Sequence, residues 1–274
     1  MNTIKRIGFL LILAAAPILA QSDWHTPLPG FKIAGNLYWV GTADLAVYLI
    51  NTPQGNILIN SDFTEDLPLI KKSIQQLGFK YADTKIILIS HAHDDHDEAV
   101  GVIRKETGGR LMVMDADVPD VESLGPDAHV DRVLHDGDTV ELGGSKLTAR
   151  LTPGLTKGCT TWTMQVDEAG RKLNAVIIGS PNINPGTILA GNRSYPKIAE
   201  DYVKTFSVLK SLPVDLFLGA HGSYFGLKAK YPKIASGTNP LIDPAGYKTY
   251  VAEREMNFLK EWERQKQHPG SPAP

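Results

Sequence analysis

The chain has 274 residues with 28 basic and 30 acidic side chains, a formal net charge of −2. It carries no basic run able to track a phosphate backbone, so nucleic acid is excluded as an expected partner. A single cysteine, Cys159, excludes an internal disulfide, which leaves stability to a packed core and to any bound metal.

Lys5-Arg6, an apolar run over residues 7–19 and the small Ala20 before Gln21-Ser22-Asp23 read as a secretory signal peptide over residues 1–20. The run is shorter than the roughly 20 apolar residues that cross a bilayer as a helix, and no later stretch approaches that length. A retained membrane-anchoring N-terminus is the competing reading. The mature part, 21–274, is long enough for one large α/β domain. It is expected to be periplasmic or secreted, free of the membrane and monomeric.

Leu37-Tyr38-Trp39-Val40, Val47-Tyr48-Leu49-Ile50 and Ile57-Leu58-Ile59, broken at Gly41-Thr42 and at Thr52-Pro53-Gln54-Gly55, predict antiparallel strands joined by turns. Leu67, Ile70, Ile74 and Leu77 recur at helical spacing as far as Gly78, and the continuous apolar run Ile86-Ile87-Leu88-Ile89 predicts a buried strand. A second helix is expected from near Asp97 to Gly108-Gly109, then a short strand at 111–114. Residues 131–178 are strand-rich, with turns at Asp136-Gly137-Asp138, Gly143-Gly144 and Glu168-Ala169-Gly170. A helix over about 196–209, a strand at 215–218 and a helix over about 246–263 follow, and proline and glycine in 268–274 predict a disordered tail. Two similar halves of strands and helices imply two sheets packed face to face with helices outside.

His91, His93, Asp95 and His96 stand directly after the buried strand. A rigid element thus delivers them to a loop, as metal ligands require. Imidazole and carboxylate are good zinc ligands, and so many of them within six residues is costly in an ordinary turn. His221, in Leu218-Gly219-Ala220-His221-Gly222, follows another predicted strand.

His-x-His-x-Asp-His after an apolar strand resembles the signature of the metallo-β-lactamase superfamily. Asn36-Leu37-Tyr38-Trp39-Val40-Gly41-Thr42, Val133-Leu134-His135-Asp136-Gly137-Asp138, Leu151-Thr152-Pro153-Gly154, Lys157-Gly158-Cys159-Thr160-Thr161-Trp162 and Gly179-Ser180-Pro181-Asn182 are similar to class B β-lactamases of subclass 3. The resemblance implies a four-layer αββα sandwich with two zinc ions in the groove where the sheets meet. His91 and His93 would hold the first zinc, and Asp95, His96 and His221 the second. Ser180 stands where other subclasses keep a cysteine ligand, so Cys159 reads as an ordinary buried thiol. The implied reaction is attack of a metal-bound hydroxide on a β-lactam carbonyl, with Asp95 orienting the nucleophile and Ser180 and Asn182 contacting the substrate.

One departure bears on all of this. The family's Thr-Pro-Gly-His-Thr supplies the third histidine of the first site, and this chain has Thr152-Pro153-Gly154-Leu155-Thr156. Leucine cannot bind zinc, so the first site is expected to be weak or completed by water or another residue. His129, in a loop shorter than the subclass pattern, is the nearest substitute in the sequence, but an exposed surface role is the reading preferred for it, as for His25, His135 and His268. Glu98 and Thr187 also depart from the pattern and put the substrate range in question. Three readings stay open: a β-lactamase with an atypical first site, a hydrolase of another ester or lactone, and an impaired binding protein.

Overall fold

The computed structural model describes residues 23–274; residues 1–20, which the sequence analysis reads as a signal peptide, lie outside the described residues. The first half runs through β1 (Phe31–Ala34), β2 (Leu37–Trp39), β3 (Tyr48–Thr52), β4 (Gly55–Ile59), α1 (Leu67–Gln76), β5 (Thr84–Leu88), α2 (Asp94–Asp97), α3 (Val100–Thr107), β6 (Arg110–Met114), α4 (Val118–Glu122) and β7 (Arg132–Leu134). The second half comprises β8 (Thr139–Leu142), β9 (Ser145–Leu151), β10 (Thr160–Glu168), β11 (Arg171–Ile178), α5 (Ile198–Ser211), β12 (Leu216–Gly219), α6 (Leu227–Lys230) and α7 (Pro244–Gln267). One sheet has the order β1-β2-β3-β4-β5-β6-β7 and the other β12-β11-β10-β9-β8.

The apolar pattern explains the layers. Ile57, Ile59, Ile86, Leu88, Met112 and Met114 point into the core shared by the two sheets. Their neighbours Leu58, Ile87, Ile89, Leu111 and Val113 join Ile70 and Ile74 of α1 and Val100 and Ile103 of α3 in a second core on the opposite face. A parallel sheet covered on both sides needs such continuous apolar strands, and β4-β5-β6-β7 are parallel. Outside the second sheet, Tyr202 and Phe206 of α5 stack with Phe258 of α7, at ring distances of 5.3 and 5.7 Å to Phe258. The result is the expected α/β sandwich of two sheets with helices outside.

The two sheets are also joined by polar bonds. The Tyr48 hydroxyl donates to the Gly219 carbonyl at 2.7 Å, and the Trp162 indole N–H donates to the Ile89 carbonyl at 2.9 Å. Thr160 N–H donates to Ser90 at 2.7 Å, and Leu45 forms an isolated antiparallel bridge with His221. These bonds tie the ends of β5 and β12, where the predicted ligands lie, each to the opposite half of the molecule.

One expectation is corrected. Helix begins three residues before the expected Asp97, as the short α2, because the His93 carbonyl accepts from His96 at 2.7 Å and from Asp97 at 3.0 Å. The tail, where composition predicts disorder, carries backbone hydrogen bonds: Gly270 N–H donates to Ala190 (2.8 Å), Ala273 N–H to Thr187 and Gly186 N–H to Ala273 (both 2.9 Å). The loop after β11 leaves these backbone groups without a sheet neighbour, and the extended tail satisfies them, burying Ala273. Among the described residues no helix is long and apolar enough to cross a membrane.

Candidate metal centre

His91 and His93 lie in the loop that leaves β5, Asp95 and His96 on α2, and His221 directly after β12. In an open sheet the C-terminal ends of parallel strands form the crevice where ligands bind. His91 and His96 face each other with ring centroids 4.4 Å apart; His91 and His93 are 4.8 Å apart, and His96 and His221 4.9 Å. One ligand atom each from His91, Asp95 and His96 falls within 4.8 Å of the others. The Asp95 Oδ2 lies 3.2 Å from His96 Nε2 and 3.3 Å from His221 Nε2.

Three of the four rings are aimed from behind. Asp44 Oδ2 is 3.1 Å from His221 Nδ1, Ser90 Oγ is 3.1 Å from His91 Nδ1, and Asn60 Nδ2 is 3.5 Å from His96 Nδ1. Such partners set which ring nitrogen is left for a metal. Burial, with neighbouring histidines adding to it, pushes the His91 and His96 imidazoles well below their ordinary pKa and keeps their lone pairs free. Burial also acts on His221, but its hydrogen bonds to Asp44 and Asp95 outweigh it and bring the ring up to about 9. A proton between His221 and Asp95 thus stands where a cation bridging them would stand. His96 Nε2 is buried with no hydrogen-bond donor or acceptor satisfying it. An orphaned imidazole nitrogen facing a carboxylate and a second histidine is the donor set of a zinc site.

The groove over these residues has a volume of about 840 Å³ and is lined by His91, His93, Asp95, Leu155, Ser180, Asn182 and His221, all named from the sequence. His96 lies beneath it, fully buried. Leu155 therefore faces the space beside His91 and His93 with an isobutyl group. His129 does not line the groove; it is exposed and bonded to Glu122 at 3.0 Å, so it does not supply the missing nitrogen. Cys159 is buried, its thiol pushed up to about 12 by burial, with Sγ 3.8 Å from the Ser180 carbonyl.

A family model described as the metallo-beta-lactamase superfamily matches residues 45–221. The chain belongs to the metallo-beta-lactamase superfamily. Among solved members, the native FEZ-1 metallo-beta-lactamase from Legionella gormanii is 50% identical with a TM-score of 0.85, the match covering 88% of this chain and 98% of that one. BJP-1, a subclass B3 metallo-beta-lactamase of Bradyrhizobium japonicum, is 35% identical with a TM-score of 0.85, over 91% and 99%. Among curated relatives, a hydroxyacylglutathione hydrolase of Rhodopseudomonas palustris is 27% identical over 184 residues, and the chain spans 64% of its length.

In this superfamily member several site residues escape sequence reasoning. Asp117, buried before α4, accepts from Ala92 N–H (3.1 Å), Thr156 Oγ1 (2.7 Å) and Gly158 N–H (2.7 Å), and so ties the histidine loop to the loop bearing Leu155. A Cβ on Gly158 would lie 2.6 Å from the Asp117 carboxyl carbon, so only glycine fits. The Tyr224 hydroxyl lies 3.1 Å from Ser180 Oγ, which accepts from Asn182 N–H at 3.4 Å. Asn182 is held by Tyr202, whose hydroxyl donates to its carbonyl at 2.6 Å. Trp24 and Phe63, 6.2 Å apart, form the aromatic wall. None of these lies within the signature, and only the tertiary contacts reveal them.

Proposed function

We propose that the chain is a zinc-dependent hydrolase of β-lactam antibiotics whose first metal position is depleted by Leu155. The observation that carries this reading is the convergence of His91, His93, Asp95, His96 and His221 on one groove, in a chain half identical to a β-lactamase over nearly all of that enzyme. Asp95, His96 and His221 hold the zinc that binds tightly; His91 and His93, lacking a third nitrogen, hold another only weakly. When bound, zinc polarises the amide carbonyl and lowers the pKa of water from about 15.7 to near 7.

The chain's own groups do the rest. Asp95 orients the attacking water through the oxygen that faces His96 and His221. Asp44 keeps the His221 ring turned toward the groove. Ser180 and Tyr224 share one hydrogen bond, so one O–H of the pair remains for the substrate. Asn182 contacts the substrate from a wall braced by Tyr202. The same reading takes residues 1–20 as a signal peptide and the mature chain as a periplasmic or secreted monomer acting in antibiotic resistance.

The 27% identity to a hydroxyacylglutathione hydrolase favours a second reading, hydrolysis of a thioester in the same groove. One experiment weighs both: metal content by mass spectrometry, with carbapenem, cephalosporin and thioester hydrolysis, on wild type and Leu155→His. Wild type is expected to hold about one zinc and Leu155→His about two, with at least a roughly tenfold gain in kcat/KM on β-lactams. Two zinc ions in wild type, unchanged by the substitution, would sink the depleted first site. Turnover of the thioester alone would replace the lactamase reading, and background rates on every substrate would leave a binding protein.

A further inference from the structure

The charges around the groove are unevenly satisfied. Four carboxylates line it: Asp23, Asp44, Asp94 and Asp95. Asp23 accepts from Lys228 at 2.8 Å. Asp44 accepts from Ser223 N–H at 2.7 Å and meets His221, and Asp95 lies between His96 and His221. Asp94 differs. It is exposed on the groove wall next to His93, and no hydrogen bond or ion pair engages its side chain among the described residues. No lysine or arginine lines the groove among those residues, so any negative substrate group must be met by metal or by neutral donors.

We propose that Asp94 makes this groove select substrates bearing a positively charged nitrogen, such as a quaternary ammonium or pyridinium group, over those bearing a second carboxylate. The inference rests on the reading of the groove as the substrate site. The unpaired Asp94 carboxylate attracts a cation at the groove wall. Trp24 and Phe63 line the same groove, and aromatic rings attract a cation through their quadrupole. A dianionic substrate meets the same carboxylate with no lysine or arginine in the groove lining to offset the repulsion. Because Asp94 is exposed, the selection is screened by salt, over about 8 Å at physiological ionic strength and about 3 Å at 1 M.

The test uses the zinc-loaded chain and its Asp94→Asn and Asp94→Lys variants at low and high salt. Two readouts are taken: kcat/KM for a pair of cephalosporins that differ only in a pyridinium or a carboxylate substituent, and the Kd of benzyltrimethylammonium, which no hydrolase cleaves. Wild type at low salt is expected to favour the cationic cephalosporin by about tenfold. That ratio falls toward unity in Asp94→Asn and in high salt, and inverts in Asp94→Lys, while the Kd of the probe rises in parallel. A ratio and a probe Kd that Asp94→Asn leaves unchanged overturn the proposal. If neither cephalosporin is cleaved, the lactamase reading fails by itself, and the probe decides the charge selection: a weakened Kd in Asp94→Asn sustains it, and an unchanged Kd ends it.

Discussion

Asn60 shows how much of the site depends on residues that touch no substrate. Its backbone takes a φ of 68°, in the left-handed region that asparagine tolerates better than most residues. From there its amide donates to the Ala46 carbonyl at 3.0 Å and accepts from Ser90 N–H at 2.7 Å. The strand end that carries His91 is thereby fixed to the first sheet. Asn60→Ala leaves buried groups unpaired and puts alanine in an unfavourable conformation, for a cost of about 2 to 4 kcal/mol. Denaturant unfolding in EDTA, where metal does not contribute, measures it; a loss below about 1 kcal/mol would remove Asn60 from this role. At this scale the sequence was informative only where chemistry is concentrated. His91, His93, Asp95 and His96 announce themselves by type and spacing, and Leu155 by its place in a familiar run. Asn60, Asp117 and Tyr224 are ordinary residue types in ordinary contexts, and the partners named for them lie from 14 to 44 positions away.

Among the elements, strands β2 to β6 of the first sheet and helices α1, α5 and α7 are legible because apolar periodicity and turn residues coincide there, whereas β1 is too short to announce itself. The helical turn α2 is not legible either, since Asp94-Asp95-His96-Asp97 has no apolar face; its geometry is imposed by the His93 carbonyl and by the elements that hold it. The tail's hydrogen bonds are hidden from the sequence for a related reason: composition reports how poorly a segment builds its own core, not whether a neighbouring loop offers it hydrogen bonds. Helix α7 starts in a way the sequence does signal. Asp243 accepts from Gly246 N–H at 2.8 Å, Pro244 opens the helix, and Lys230 reaches the same carboxylate at 2.6 Å. Asp243→Ala is expected to cost about 1 to 2 kcal/mol in thermal unfolding. Asp243→Asn, which keeps the cap and loses the ion pair, should recover most of it; equal losses in the two variants would assign the effect to Lys230 instead.

For the molecule as a whole, the decisive arrangement is that the site straddles its seam. His91, in the loop that leaves β5, and Asp95 and His96, on α2 just beyond it, belong to the first sheet's side, and His221, directly after β12, to the second's. A zinc at about a thousand times its Kd adds about 4 kcal/mol to the folded state, so EDTA should lower the thermal midpoint by about 10 °C, reversibly on adding zinc back. An unchanged midpoint would mean that apolar packing and the polar bonds across the seam hold the two sheets without metal, and that the ligands bind no metal of consequence. Bonds such as Tyr48 to Gly219 and Thr160 to Ser90 align the seam, but no covalent link crosses it in a chain whose one cysteine is buried and free. An ion spanning His96 and His221 would act as a removable rivet between segments far apart in sequence, with a gain of the size a long-loop disulfide provides, about 4 to 5 kcal/mol. The stiffness of this protein would then follow the local supply of metal and not the redox state of its surroundings, and a chelator would loosen the scaffold as it silences the site.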